Sequence, residues 1–346
     1  MNEKPVIAIT QGDPSGIGPE IIFKALLNPA VIRSAIPVVI GHKAVLSNTK
    51  SWMGSPLTLR EITRPSEAAG DPGLLEFIDP GPAEVMDTME ISVGSASAAG
   101  GKAAYHSIAL AAELALSGHA GAVVTTPVSK EALHLAGYPF PGHTEILAEL
   151  TAAKHYAMLL TAKGLHVMHV TTHMAMRDAC NAITKERVLH TIRLADLAKS
   201  QIGASGAIAV AGFNAHNSEN GLFGAEESAA IVPAIDEAKA MGIEVIGPIP
   251  ADTVFVKALA GQYGMVVAMY HDQGHIPVKM LGFTLGGQTT VSGVNCTIGL
   301  PIIRTSVDHG TAYDIAGKGI ANEESLLDAI AMAAAMCGYR GPRTLS

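Results

Sequence analysis

Three histidines stand at the ends of apolar runs, and together they raise a metal site as the first chemical possibility. "GMVVAMYHDQGHIP" (Gly264–Pro277) ends its run at His271 and then turns through Asp272, Gln273 and Gly274. "GLHVMHVTTHMAMRD" ends one at His173, and "GAIAVAGFNAHNSENG" ends one near His216. Neutral imidazole suits ions of the zinc, cobalt, nickel or manganese type. Three protein ligands with open positions make a catalytic arrangement, whereas a closed four-ligand shell is structural. The wide separations match no short metal motif. The chain has 14 histidines, and for any single one a surface or hydrogen-bonded role is the default reading. Asp272 is placed to orient His271 or to act as a base; it also suits a plain turn beside Gly274.

Two polar stretches stand out beside the histidines. "TQGDPSGIGPEI" follows the first apolar run and opens a helix. Gly12, Gly16 and Gly18 allow a tight turn and close backbone approach, Pro19 fits a first helical turn, and Glu20 suits its dipole. It is neither GxGxxG nor a Walker loop, so a ligand loop and an ordinary strand-to-helix turn stay equally open. "GVNCTIGLPIIRTSVDHGTAYDIAGKGIANEESLLDAI" carries Asn295, Arg304, Asp308, His309, Thr311, Asp314, Lys318 and Asn322. An aspartate there could accept both ribose hydroxyls, and an asparagine could pair with an adenine edge. Asp314 would favour NAD over NADP, with Lys318 weakening the inference. Composition alone reads the stretch as a turn-rich loop before a C-terminal helix.

The elements that must position these residues alternate. Nearly continuous apolar runs ("PVIAIT", "IPVVIG", "AGAVVTTP", "HYAMLLTA", "LHVMHVTT", "GAIAVAGF" and "MVVAMY") are expected to be strands covered on both faces. Between them, "GKAAYHSIALAAELALSGH" reads as a helix. "ITKERVLHTIRLADLAKSQIG" reads as another, capped by Thr184, with Val188, Ile192 and Ala195 on one face. "AEESAAIVPAIDEAKAMG" reads as a third, kinked at Pro233. The class is α/β with a mostly parallel sheet. At 346 residues two domains are expected, although no linker marks a boundary. A net charge of −8 gives no basic footprint for nucleic acid. Three widely spaced cysteines fit a reducing compartment. No targeting or membrane-spanning segment is recognisable, so a cytoplasmic protein is expected.

"TQGDPSGIGPE", "TTPVSKEAL", "PGHTEIL", "TTHMAMRD", "FNAHNSENG", "PADTVF", "YHDQGHIPVK" and "GLPIIRTSVDHGTA" together resemble the 4-hydroxythreonine-4-phosphate dehydrogenase family over the whole chain. The resemblance implies an isocitrate/isopropylmalate dehydrogenase-like α/β fold with two domains and an active site in the cleft between them. Residues 1–130 with 300–346 would form the cofactor side, and 131–299 the metal, substrate and dimerisation side. It implies that His173, His216 and His271 hold one divalent metal (zinc, cobalt, manganese or magnesium), with His271 from the partner of a homodimer. His143, Thr144, Lys279, Asn295 and Arg304 would hold substrate and phosphate.

"HGTAYDIAGKGIAN" is similar to the adenosine-binding loop of isopropylmalate dehydrogenases. It implies NAD contacts at His309, Gly310, Thr311, Asp314 and Asn322, beside Gly12, Asp13 and Gly16. Asp272, Asp252 and Lys130 are the candidates for the base. "HDQGHIPVK" resembles the branch acting on D-threonate or D-erythronate 4-phosphate. That implies oxidation with decarboxylation to dihydroxyacetone phosphate and carbon dioxide. The alternatives are 4-hydroxythreonine 4-phosphate as substrate and, from another class, metal-dependent phosphoester hydrolysis. "TLGGQTTVS" (residues 284–292) departs from the shorter connection expected in the pyridoxine-pathway members, which puts the placement of Asn295 in question.

Overall fold

The computed structural model describes residues 4–81, 91–284, 290–339, 341 and 343–345. The chain forms two compact units, Met1–Lys154 with Leu300–Gly338, and His155–Gly299 with Tyr339–Ser346. The first unit therefore runs on past residue 130, where the sequence reading drew its boundary. Helices α5 (Lys130–Leu135) and α6 (His143–Leu150) add Leu133, Ile146 and Leu147 to that unit's core.

In the first unit, strands β1 (Val6–Thr10), β2 (Ile36–Ile40), β3 (Thr58–Glu61), β4 (Leu74–Ile78), β5 (Ala122–Thr125) and β14 (Ile303–Val307) lie in the order β3-β4-β2-β1-β5-β14. Every pairing among them is parallel. The inner strands are buried on both faces, which explains their unbroken Val and Ile content. One face packs against α4 (Ala98–Leu116), where Ile108, Ala111 and Ala112 meet Ala8, Val38, Ile40 and Val123. Ser97 caps that helix by accepting from Gly100 N at 3.0 Å. Helices α1 (Gly18–Leu26), α2 (Pro29–Ser34), α3 (Lys43–Met53) and α12 (Glu324–Cys337) complete the unit, α12 packing on β14 and β5.

In the second unit, β6 (Ala157–Ala162), β7 (Leu165–His169), β8 (Ile208–Ala211), β9 (Val245–Ile249), β10 (Met265–Ala268) and β13 (Val294–Ile298) run in the order β13-β6-β7-β10-β8-β9. The first three pair antiparallel and the last four parallel. The two-residue strands β11 (Phe283–Thr284) and β12 (Thr290–Val291) pair separately. They flank residues 285–289 of the departing connection, which lie outside the described residues.

Helices α10 (Ala251–Leu259) and α11 (His271–Gly282) cover one sheet face over Leu160, Val167, Ala209 and Val266. On the other side lie α8 (Lys185–Ile202) and α9 (Val232–Ala240), while α7 (Met176–Ala182) precedes α8. Thr184 caps α8, and Val188, Ile192 and Ala195 are fully buried, as their spacing requires. Where a kink was expected at Pro233, the helix type changes instead. A π-helical turn, Glu227–Ile231, passes into α9, with Pro233 in the α-helix's first positions. The wider turn relieves the clash of a proline ring with the carbonyl four residues back.

Two expectations give way. The turn expected after His271 is the start of α11, with Gly274 and Pro277 inside the helix. Part of the stretch expected as loop is β14, buried along its whole length, and Val294–Ile298 before it is also a strand.

Leu160→Ala should lower unfolding free energy by about 2–5 kcal/mol, since Leu160 lies fully buried under α10 and α11. Leu222→Ala, at a mostly exposed side chain, should leave it unchanged. Equal urea midpoints for the two variants would refute this placement of the second core.

Candidate active site

Four imidazoles gather in the second unit. His173 follows β7, and His271 opens α11; their ring centroids lie 5.6 Å apart. His271 Nδ1 stands 2.6 Å from Asp272 Oδ1. An ionised carboxylate only accepts, so Nδ1 of His271 is the donor, and in the neutral ring that tautomer leaves Nε2 available to a metal. Gln273 ties the helix start to the sheet, accepting from Met269 N at 2.7 Å and donating to Gly212 O at 2.8 Å. His275, one helical turn after His271, stacks on it at 3.6 Å and meets the buried His169 at 3.1 Å. Burial holds His169 down to about 3 and His275 to about 4, each helped by neighbouring imidazoles. A cavity of about 240 Å³ opens among Thr172, His173, Met176, Tyr270, His271 and Asp272.

His216 is presented by an unusual backbone. Residues 216–220 all have positive φ, from 44° to 57°, making a left-handed turn without a glycine. Such residues cost roughly 1 kcal/mol or more each. The surrounding bonds hold the turn in place. Asn217 Nδ2 donates to Pro248 O at 2.8 Å, and the buried Glu227 carboxylate accepts from the backbone N–H of Phe213 and Asn214. Strain retained this way is characteristic of functional loops.

The described residues of one chain gather no three His, Cys, Asp or Glu groups able to share an ion. The donor chemistry of His173 and His271 fits a divalent metal, and the structure brings these two together within one chain, where the resemblance implied His271 from a partner. Asp252 lies exposed in the first turn of α10, and Lys279 is part-buried on α11 near His275. Asn295, on β13, donates to Met158 Sδ at 3.0 Å.

In the first unit the glycine-rich turn closes onto the C-terminal loop. Ile17 N donates to Thr311 O at 3.0 Å, and Ala321 N donates to the buried Glu20 carboxylate. Asp13 accepts from Ser15 N and from Tyr313 Oη; burial raises its pKa despite those bonds. Gly12 needs its positive φ, and a Cβ there would lie 2.4 Å from Pro127 O. Beside the turn is a cavity of about 350 Å³ lined by Pro14, Gly16, Glu20, Asn48, Trp52 and Gly317. Asn322 Oδ1 is engaged in accepting from Glu324 N, Asp314 and Gly310 are exposed, and His309 Nδ1 meets Gly310 O.

Arg304 and His143 come together at the same unit's strand ends. Arg304, only 3 % exposed on β14, donates to Thr125 Oγ1 at 2.8 Å. His143, at the start of α6 beside Thr144, has Nε2 3.0 Å from Thr126 O. Burial pushes His143 down to about 3, and the Arg304 charge adds to that. A neutral imidazole with a guanidinium suits a phosphate or carboxylate oxygen. Lys130 is exposed as the first residue of α5, after Ser129.

Sequence reading did not single out His169 or Trp52. His169 was hidden in an apolar strand pattern. Trp52 carries the only indole, which alone offered a weak signal.

A family model described as the pyridoxal phosphate biosynthetic protein PdxA matches residues 33–333. The chain is 48% identical over 333 residues to a D-threonate 4-phosphate dehydrogenase of Salmonella typhimurium, covering 96% of this chain and 98% of the other. Against the enzyme of that name from Cupriavidus necator it is 46% identical over 344 residues, covering 97% and 98%. A crystal structure of 4-hydroxythreonine-4-phosphate dehydrogenase from Klebsiella pneumoniae superposes with a TM-score of 0.86 at 44% identity, covering 96% of this chain and all of that one.

His42 and His143, like His169 and His275, are held low by burial, which predicts a fold that loses stability in acid. His42 is held down to about 4, chiefly by burial. Between the folded values and the unfolded value near 6.5, the unfolded chain binds more protons, so stability falls as pH drops through that window. Each ring should cost up to about 2 kcal/mol between pH 6.5 and 5. Urea midpoints should fall from pH 7.5 to 5, and His143→Gln should narrow the gap. An unchanged midpoint across that range would contradict the assignment.

Proposed function

The chain belongs to the family of the pyridoxal phosphate biosynthetic protein PdxA, and from that premise we propose that it oxidises D-threonate 4-phosphate with NAD and a divalent metal. It is a dehydrogenase acting on a CH–OH group. The reading rests first on one observation: identity near one half with D-threonate 4-phosphate dehydrogenases runs almost end to end. D-Erythronate 4-phosphate is the close alternative. 4-Hydroxythreonine 4-phosphate is a second reading, favoured by the name of the superposed Klebsiella enzyme.

Each unit supplies a separate part of the chemistry. Arg304, with His143 and Thr144, anchors an anionic end of the substrate through charge-assisted bonds. His173, His216 and His271 are the metal ligands, completed between two copies of the chain. Ile276 and Met280 on α11, with Val256 and Leu259 on α10, leave large apolar side chains exposed on the helices that cover this unit's sheet. That pattern suits a surface covered by a second copy. When bound, the metal supplies Lewis-acid polarisation of the alcohol oxygen, and NAD supplies the hydride acceptor. Asp272 is engaged with His271, which leaves Asp252 and Lys130 as the freer candidates to take the alcohol proton. Oxidation of the C3 alcohol gives a 3-keto acid. Loss of carbon dioxide from it leaves dihydroxyacetone phosphate. The cavity beside Trp52 is assigned to the adenosine end of NAD.

With D-threonate 4-phosphate and zinc, cobalt, manganese or magnesium, NADH absorbance should rise in step with dihydroxyacetone phosphate. Phosphate release without NADH would instead support a hydrolase. His216→Ala should lose turnover by at least a hundredfold while still binding NAD. Arg304→Ala should raise KM for the phosphorylated substrate at least tenfold; unchanged kcat and KM would remove it as the anion anchor. NADH binding should quench Trp52 emission, and binding without any change would place the nucleotide elsewhere.

A further inference from the structure

Two histidines outside the proposed ligand set are arranged as a chain of contacts from the core to His271. His169 ends β7, lies 2 % exposed, and has Nδ1 3.4 Å from Met158 O. Its Nε2 faces His275 Nδ1 at 3.1 Å, and His275 Nδ1 also reaches His271 O at 3.1 Å. A carbonyl oxygen only accepts, so His275 carries its proton on Nδ1. His169 therefore accepts at Nε2, with its own proton on Nδ1 toward Met158 O. One protonation pattern satisfies every contact. The His275 ring then lies on the His271 ring with centroids 3.6 Å apart and planes within 14°.

The helix has given up a side chain to make this possible. A Cβ at Gly274 would lie 2.3 Å from His169 Nε2 and 2.8 Å from Val167 Cγ1. Glycine in a helix interior costs about 1 kcal/mol relative to alanine. Here it opens the notch through which the buried imidazole reaches His275. A hydrocarbon side chain at 169 or 275 would pack against the same core without specifying a ring orientation. The polar pair fixes the direction of both rings.

We propose that His169 and His275 are positioning residues: His169 locks His275, and the stacked His275 ring locks the His271 imidazole in its metal-binding orientation. The inference rests on the reading of His271 as a metal ligand. Asp272 selects the proton position on His271, while the stack selects the plane of its ring. Both reduce the orientational freedom lost when an ion is bound.

Cobalt(II) binding to the full-length protein, measured by visible absorption and chelator competition, tests this without using turnover. His169→Leu, which touches neither ion nor substrate, should weaken cobalt binding about 10–100-fold, the range for loss of an outer-shell partner. His275→Leu should do the same. The double variant should be no weaker than either single one, because the two act in series. His169→Gln keeps an acceptor toward His275 and a donor toward Met158, and should restore most of the affinity. His275 is only part-buried, so its variant keeps the test available if His169→Leu does not fold. Affinity within twofold of wild type and an unchanged spectrum in both leucine variants would overturn the brace. Wild-type affinity in His271→Ala would instead overturn the metal reading on which it stands.

Discussion

An imidazole serves as a ligand only while one ring nitrogen is bare and aimed, and the contacts around His271 in the second unit constrain both the proton and the plane of its ring. The Asp272 carboxylate fixes the proton on Nδ1, and the His275 ring fixes the plane. Gln273 fixes the helix start by joining Met269 to Gly212. All three depend on α11 beginning at His271, directly after β10. The parallel strands β7, β8 and β10 end near the segments carrying His173, His216 and His271. Polar groups therefore concentrate where buried apolar strands give way to loops and helix starts.

The first unit solves a different problem, the burial of charge. Arg304 and Glu20 both lie inside it. Arg304 has Thr125 and a neutral His143 for neighbours, while Glu20 is met by Lys24 and the Ala321 backbone. Held by these bonds, each charge links segments far apart in sequence. Glu20 binds the glycine-rich turn to the C-terminal loop, and Arg304 lies against the end of β5. Removing one partner would leave a desolvated charge behind, the costly outcome for a buried pair.

Much of this was legible in the sequence, for physical reasons that differ by element. The strands carrying unbroken Val, Ile and Ala runs declared themselves, because burial on both faces leaves no polar position. The edge strand β3, "TLRE", is largely exposed and gave no apolar signal. In β14 the single charge of Arg304 and the flanking turn residues masked a fully buried strand. Gly274 and Pro277 made α11 read as a turn, and the i,i+4 spacing of His271 and His275 has meaning only once the helix is known. Gly274 is explained by the ring of His169, a contact that comes from another strand. The left-handed turn at His216 left only its richness in Asn and Ser as a trace, because five consecutive positive φ values are set by tertiary bonds. The histidines expected at a metal were therefore visible as residues, while the contacts of His275 with His169 and His271 were not.

The most direct measurement is an anomalous-scattering map, at the zinc or cobalt absorption edge, from crystals of the full-length protein grown with that metal. The expected result is a peak bonded to the Nε2 atoms of His173, His216 and His271, with the three side chains drawn from two copies of the chain. A peak on other residues, or a fully loaded ion that leaves His271 Nε2 uncoordinated, would contradict the account.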